Sequence, residues 1–374
     1  MNRRDFVSTS LAVSAAGIGC LSDAAQAATP ALRADHPGPL PGDHVARLRS
    51  AENPYGPPKS ALKAAEAELA RGNRYPRDKI TELRDVIAKD AGLTPEHVAI
   101  GAGSIELMIN AGLAYGKPGR AVLSVDPTWD TMVLYAEEQG AEWIRVPLTE
   151  KYRYDFDRMK SALTDKVDLV YICNPNNPTG LAEDEGELEA FVKEVAPKRI
   201  VMVDEAFIDC LDNAEAISMK RLIREYDNVI VARTFSKLWG MAGFRMGYML
   251  GHPKVIAKLE STIPKLEMQN RIGAAAAIGA FGDREFMDFS RAKMKESRGM
   301  VFEILDRHGL TYIPSDSNFV AFQATDDGDK FVEKMYERDV LLKNVTFGGQ
   351  TWIRVSCGAP NELEAFDQAL GLVL

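Results

Sequence analysis

Cysteine is scarce in the 374-residue sequence: there are four, none spaced as a close C-x-x-C pair. Neither a disulfide framework nor a thiolate metal centre is indicated, and no metal ligand set is expected. An excess of positive charge is also missing, since 54 acidic residues outnumber 45 basic ones for a formal charge of -9. Non-specific attraction to nucleic acid or to an anionic membrane is thereby disfavoured, although a local positive site can still hold a small phosphate or carboxylate. Beyond the N-terminal segment, no stretch approaches the roughly 20 continuously apolar residues of a membrane span. No internal repeat is evident. What is plentiful is core material: 46% of the residues are hydrophobic, ample for two domains.

The first residues read as a separate object. Met1-Asn-Arg-Arg-Asp-Phe-Val7 sets paired arginines before a mildly apolar run from Ser8 to Leu21, and Ala25-Gln-Ala27 offers a small-x-small cleavage site. Residues 1–27 therefore resemble a twin-arginine export signal, which implies recognition by that export machinery and a periplasmic destination. Removing 27 residues leaves 347, with Cys173, Cys210 and Cys357, all three expected as buried small hydrophobes.

Residues 28–58, rich in proline and glycine, read as an ordered arm. From about residue 59 helical patterns alternate with short apolar runs at 98–100, 121–125, 143–146, 169–173, 200–203, 229–232 and 246–250. This alternation predicts an α/β fold with a mainly parallel sheet between helical layers. The segment 254–305 reads as helices leading into another unit. Beyond it, strands at 318–322 and 352–356 flank a helix at 330–338, which suits a smaller α+β domain. The boundaries are drawn at 59–265 and 266–374.

Four segments carry chemistry. Gly101-Ala-Gly-Ser-Ile-Glu106 follows one strand and opens a helix, where small residues permit close backbone approach and free N–H groups attract phosphate. It is not a G-x-G-x-x-G turn, so a dinucleotide lacks its motif. Asn174-Pro-Asn-Asn-Pro-Thr-Gly180 follows a second strand and places amides near its end. Asp204, in Val203-Asp-Glu-Ala-Phe207, ends a third; it either caps the next helix or needs a charged partner. In Arg233-Thr-Phe-Ser-Lys-Leu-Trp-Gly240 and the following Arg245, two hydroxyls and a guanidinium surround Lys237. A lysine amine in a partly desolvated positive pocket deprotonates readily and attacks an aldehyde.

The order of these pieces, with Glu52-Asn-Pro-Tyr-Gly56, Tyr75-Pro76, Asp126-Pro-Thr-Trp129 and Arg354, resembles the fold-type I pyridoxal-phosphate aminotransferases. Among them it is most similar to histidinol-phosphate aminotransferases. The resemblance implies pyridoxal 5'-phosphate as cofactor, an amino-acid donor, a 2-oxo-acid acceptor and a homodimer. It also implies the aspartate-aminotransferase-like architecture, a three-layer α/β/α large domain beside a smaller α+β domain. By the same resemblance Lys237 forms the Schiff base and moves the proton, while Asp204 pairs with the ring nitrogen. Asn177 lies beside the ring hydroxyl and Trp129 stacks on the ring. Gly103, Ser104, Thr234, Ser236 and Arg245 hold the phosphate, joined by Tyr75 from the other subunit. Arg354 receives the substrate's acidic group, with Asn53, Tyr55 and Asn318 as neighbours and Lys343 where the relatives carry a second arginine.

Two positions depart from the pattern. Phe207 stands where the family usually has tyrosine, and Lys343 keeps a charge without the planar guanidinium fork. Both leave room for a changed substrate, or for decarboxylation, elimination or oxygen-dependent deamination on the same cofactor. A cofactor-binding protein without activity is the remaining alternative.

Overall fold

The computed structural model describes residues 44–262, 269–324 and 327–374. The export-signal reading of residues 1–27 lies outside them, as does most of the expected arm. In chain order the strands are β1 (Ala46–Arg47), β2 (Val98–Gly101), β3 (Ala121–Asp126), β4 (Glu142–Pro147), β5 (Val167–Cys173), β6 (Ile200–Asp204), β7 (Val229–Thr234), β8 (Gly247–Gly251), β9 (Phe319–Phe322), β10 (Val340–Leu341), β11 (Lys343–Phe347) and β12 (Gln350–Ser356).

Seven of them form one sheet in the order β2-β8-β7-β6-β5-β3-β4. The pairs β3–β4, β3–β5, β5–β6 and β6–β7 are parallel, whereas β8 is antiparallel to both β7 and β2. Only β8 therefore runs against the other six. The inner strands are apolar on both faces because helices cover both. On one face Val201, Val203, Val229 and Val231 pack with Leu188, Phe191, Ala274 and Ala277 of helices Glu185–Val195 and Arg271–Phe281. On the other, Met202, Ile230 and Ala232 pack with Leu107, Met108 and Ala111 of helix Ser104–Tyr115. Edge strand β4 exposes Glu142, Arg145 and Pro147, charges and a proline of the kind that blunt a free sheet edge.

The 24-residue helix Arg284–Arg307, started by Asp283 accepting from the Phe286 N–H, leads into the smaller layer. There β11-β12-β9 form an antiparallel sheet whose Val320, Phe322, Ile353 and Val355 pack with Ile304, Phe331 and Phe366. The arm joins this layer: β1 pairs in parallel with β10, Leu48 is buried in the same cluster, and the Ser356 N–H donates to the Leu48 carbonyl at 2.8 Å. The three-layer α/β/α unit and the α+β unit expected from the sequence are both present. No described helix is long and apolar enough to cross a membrane.

Candidate active site

Because β8 alone is reversed, the carboxyl ends of β2, β3, β5, β6 and β7 meet at one edge of the sheet, where open α/β sheets bind ligands. A cavity of about 490 Å³ lies there. It brings together Gly103, Ser104, Trp129, Asn177, Asp204, Thr234, Ser236, Lys237, Arg245, Lys343 and Arg354, all of them singled out from the sequence.

One end is built for an anion. Helix Ser104–Tyr115 starts at Gly103 without a side-chain cap, so its first N–H groups stay available. Gly103 has φ +75°, and a Cβ there would stand 2.5 Å from Arg245 Nη2. Arg245 donates to the Ala102 carbonyl at 3.2 Å and the Ala242 carbonyl at 2.9 Å, with Ser236 Oγ at 3.4 Å. Thr234 Oγ1 donates to Ser236 Oγ at 2.9 Å. Across from them, Gly247 on β8 allows close backbone approach: a Cβ there would lie 2.2 Å from the Ser104 nitrogen. The result is a pocket of N–H groups, hydroxyls and one guanidinium, the set that holds a phosphate.

At the centre, Asp204 ends β6 and is only 2% exposed. Its carboxylate accepts from the Ala206 N–H at 3.0 Å and from the Tyr171 hydroxyl at 3.2 Å. Burial pushes its pKa up to about 7, opposed by those two donors. Among the described residues no cationic side chain forms an ion pair with it, so this buried acid suits a ligand that brings its own positive charge.

The asparagine-rich turn divides its work. Asn174 Oδ1 accepts from the Glu183 N–H at 2.8 Å, and Asn176 ties this turn to the one after β3 through Thr128 Oγ1 at 3.0 Å and the Pro127 carbonyl at 3.2 Å. These bonds fix Trp129 and Asn177 in the cavity wall. Asn177 Oδ1 accepts from Arg354 Nη1 at 2.8 Å, which leaves its amide NH₂ as a donor.

Lys237 lines the same cavity, with Nζ donating to the Ser50 carbonyl at 2.9 Å and lying 5.3 Å from the Phe207 ring centre. Burial, then the positive charge of Arg354, lower its pKa to about 8. Arg354 on β12 also donates to the Arg49 carbonyl at 2.9 Å, while its buried Nε has no partner. Burial lowers its pKa to about 10. Lys343 Nζ sits 5.6 Å from the Trp129 ring centre, its pKa lowered by burial and then by Arg354. Two cations in one cavity wall can together hold an anionic group.

Four expected residues do not line the cavity. Tyr75 is 76% exposed on the surface. Asn53 is buried, donating to the Leu238 carbonyl at 2.7 Å and Ser290 Oγ at 2.9 Å, and so anchors the arm. Asn318 does likewise through the Ala51 carbonyl at 3.0 Å, and Tyr55 packs edge-on against Phe289. Conversely, the wall includes Arg49 and Ser50, which the sequence reading passed over. Ser50 acts through its backbone carbonyl, which no side-chain identity reveals.

An anion cradle, a buried acid and a softened lysine around one cavity can hold a phosphorylated ligand and supply amine chemistry beside it. Residues 43–370 match the family described as aminotransferase class I and II, and the chain belongs to it. It is a pyridoxal-phosphate-dependent aminotransferase, moving amino groups between amino acids and 2-oxo acids. The chain is 34% identical to the histidinol-phosphate aminotransferase of Symbiobacterium thermophilum over 88% of its own length and 91% of the relative's. It is 32% identical to an aromatic amino acid aminotransferase of Thermobifida fusca, over 87% and 89%. A crystal structure of histidinol-phosphate aminotransferase from Sinorhizobium meliloti in complex with pyridoxal-5'-phosphate superimposes with a TM-score of 0.79 at 26% identity, covering 88% of this chain and 90% of that one.

Proposed function

We propose that Lys237 holds the cofactor covalently and moves the proton, and that Asp204 pairs with the ring nitrogen. The observation that carries this reading is the placing of an amine softened to about pKa 8 and an acid without a cation in one cavity with the anion cradle. The donor set fits the cofactor: Gly103, Ser104, Thr234, Ser236 and Arg245 would hold its phosphate, Asn177 its ring oxygen and Trp129 its face. When bound, the cofactor supplies an electron sink for the bond broken at the substrate carbon. Lys237 acts as base and then acid at that carbon, and Arg354 with Lys343 orients the substrate through its acidic group.

The donor is an amino acid or related amine and the acceptor a 2-oxo acid. We read the working unit as a homodimer in which Tyr75 completes the neighbouring subunit's phosphate cradle, and the enzyme as periplasmic, exported folded by the twin-arginine route. Lys343 bears on the donor, because an ammonium grips a phosphate as a point charge rather than through a fork.

A panel of amino donors, including histidinol phosphate and aromatic, acidic and basic amino acids, should convert the holoenzyme absorbance to that of the aminated cofactor. A holoenzyme unchanged by every donor would reject the proposal. A second reading rests on Phe207, buried and packed edge-on against Phe319 at 5.1 Å, which offers the cofactor ring no hydroxyl. Release of carbon dioxide, or oxygen uptake without an acceptor, would favour decarboxylation or oxidative deamination. Without that hydroxyl the covalent linkage should titrate at higher pH than in tyrosine-containing relatives. Phe207→Tyr should therefore lower the midpoint of the absorbance transition, and an unmoved midpoint would reject this role.

A further inference from the structure

Tyr171 lies on the middle strand β5, and the pairing register sets it opposite Met202 and sets Cys173 opposite Asp204. Residues two apart share a face, so Tyr171 is the diagonal neighbour of Asp204 on the side covered by helix Ser104–Tyr115. Tyr171 is fully buried, and its hydroxyl donates to Asp204 Oδ2 at 3.2 Å. The other oxygen, Oδ1, accepts from the Ala206 N–H at 3.0 Å. Cys173 Sγ stands 3.9 Å from Oδ2. Of the remaining charged groups that act on Asp204, Glu205 is held by Arg233 at 2.9 Å and by Ser218, and Lys237 lines the same cavity.

We infer that Tyr171 is a positioning residue of the amino-transfer reaction: its hydroxyl holds Asp204 as an oriented carboxylate aimed at the cofactor's ring nitrogen. The inference rests on the proposed role of Asp204. A buried carboxylate with a single side-chain hydroxyl donor depends heavily on that donor, because water does not replace it. Burial keeps the Tyr171 hydroxyl protonated far above neutrality, so it donates throughout the working range. A buried tyrosine hydroxyl takes a hydrogen-bond partner wherever it lies, so the identity of that partner is what bears on function. Here the partner is the buried acid of the cavity wall, Asp204.

Tyr171→Phe keeps the ring and deletes the donor. In holoenzyme carrying ring-nitrogen-labelled cofactor, the nitrogen resonance should move toward the deprotonated form between pH 7 and 9. The cofactor dissociation constant should rise and kcat fall, each by about 10-fold, with the donor KM within about twofold, as expected for losing one hydrogen bond to a charged group. In an Asp204→Asn background the same substitution should change kcat less than about twofold, since the hydroxyl acts through that carboxylate. An unmoved nitrogen resonance in folded Tyr171→Phe, or an undiminished kcat loss in the Asp204→Asn background, would overturn the inference. Failure of the wild-type holoenzyme to react with any amino donor would instead overturn the proposed function and leave the resonance comparison readable.

Discussion

At the scale of single residues, the cavity's chemistry comes from charges kept away from water. Lys237, lowered to about pKa 8, holds a larger neutral fraction at neutral pH than an exposed lysine does. Capture of an aldehyde by cofactor-free protein should therefore rise with pH through about 8 and level off above it. Arg354→Met removes a positive neighbour and should move that midpoint upward, short of an ordinary lysine because burial persists; reductive labelling of Lys237 followed by mass spectrometry reads both. Asp204 works in the opposite sense. Its folded pKa of about 7 exceeds the roughly 3.9 of an unfolded aspartate, so the folded state binds the extra proton. Cofactor-free protein should lose stability as pH rises from about 4 to about 7 and hold steady above. Buried Glu183, also raised to about 7, contributes the same slope. Asp204→Asn should accordingly remove about half of the decline in denaturation experiments while lowering kcat by roughly 100-fold or more.

The residues that the sequence made legible were those whose chemistry is unusual for their setting. A lysine between two hydroxyls and a glycine-rich turn, and an acid ending an apolar strand, are conspicuous before any coordinates. Tyr171 was not, because in sequence it is one more apolar-run residue; its hydroxyl matters only through the register that sets β5 beside β6. Asn53 and Asn318 show the converse, since an amide beside a site motif reads the same whether it faces substrate or anchors a strand.

Among the secondary-structure elements, the start of helix Ser104–Tyr115 and the reversed strand β8 are the coupled pair. Gly103 combines a positive φ with a Cβ position only 2.5 Å from Arg245 Nη2. Gly103→Ala should weaken cofactor retention by about 10-fold or more and lower Tm by several degrees, with substrate KM little altered once cofactor is saturating. Equilibrium dialysis and thermal scans check it, and unchanged retention would separate Gly103 from the cradle. The seven strands of the large sheet were readable because apolar runs of three to five residues, the inner ones covered by helices on both faces, leave a strong pattern. Strand β11 was not, since Lys343–Phe347 is half-buried and mostly polar. The two-residue pair of β1 and β10 was invisible for another reason: it joins Ala46 to Val340, and local periodicity carries no information about so distant a partner.

At the scale of the whole molecule, one chain leaves the site unfinished if Tyr75 belongs to the neighbour's cradle. Its side chain is exposed although its carbonyl is fixed by Arg271 at 2.9 Å, an anchored backbone presenting a ring outward. Mixing Tyr75→Phe protomers with Lys237→Ala protomers, after unfolding and reassembly together, should restore intact sites in the mixed dimers. Activity should approach about a quarter of the wild-type value from the random assortment of subunits. A mixture no more active than the average of its parents would place Tyr75 outside the neighbouring site.

The wall of the cavity draws on chain from Arg49 to Arg354. A nascent polypeptide still inside the ribosome tunnel at β12 thus lacks the guanidinium that bonds Asn177 and tunes Lys237, however complete its large sheet is. The complete cavity wall is therefore assembled only once the last part of the chain has left the tunnel.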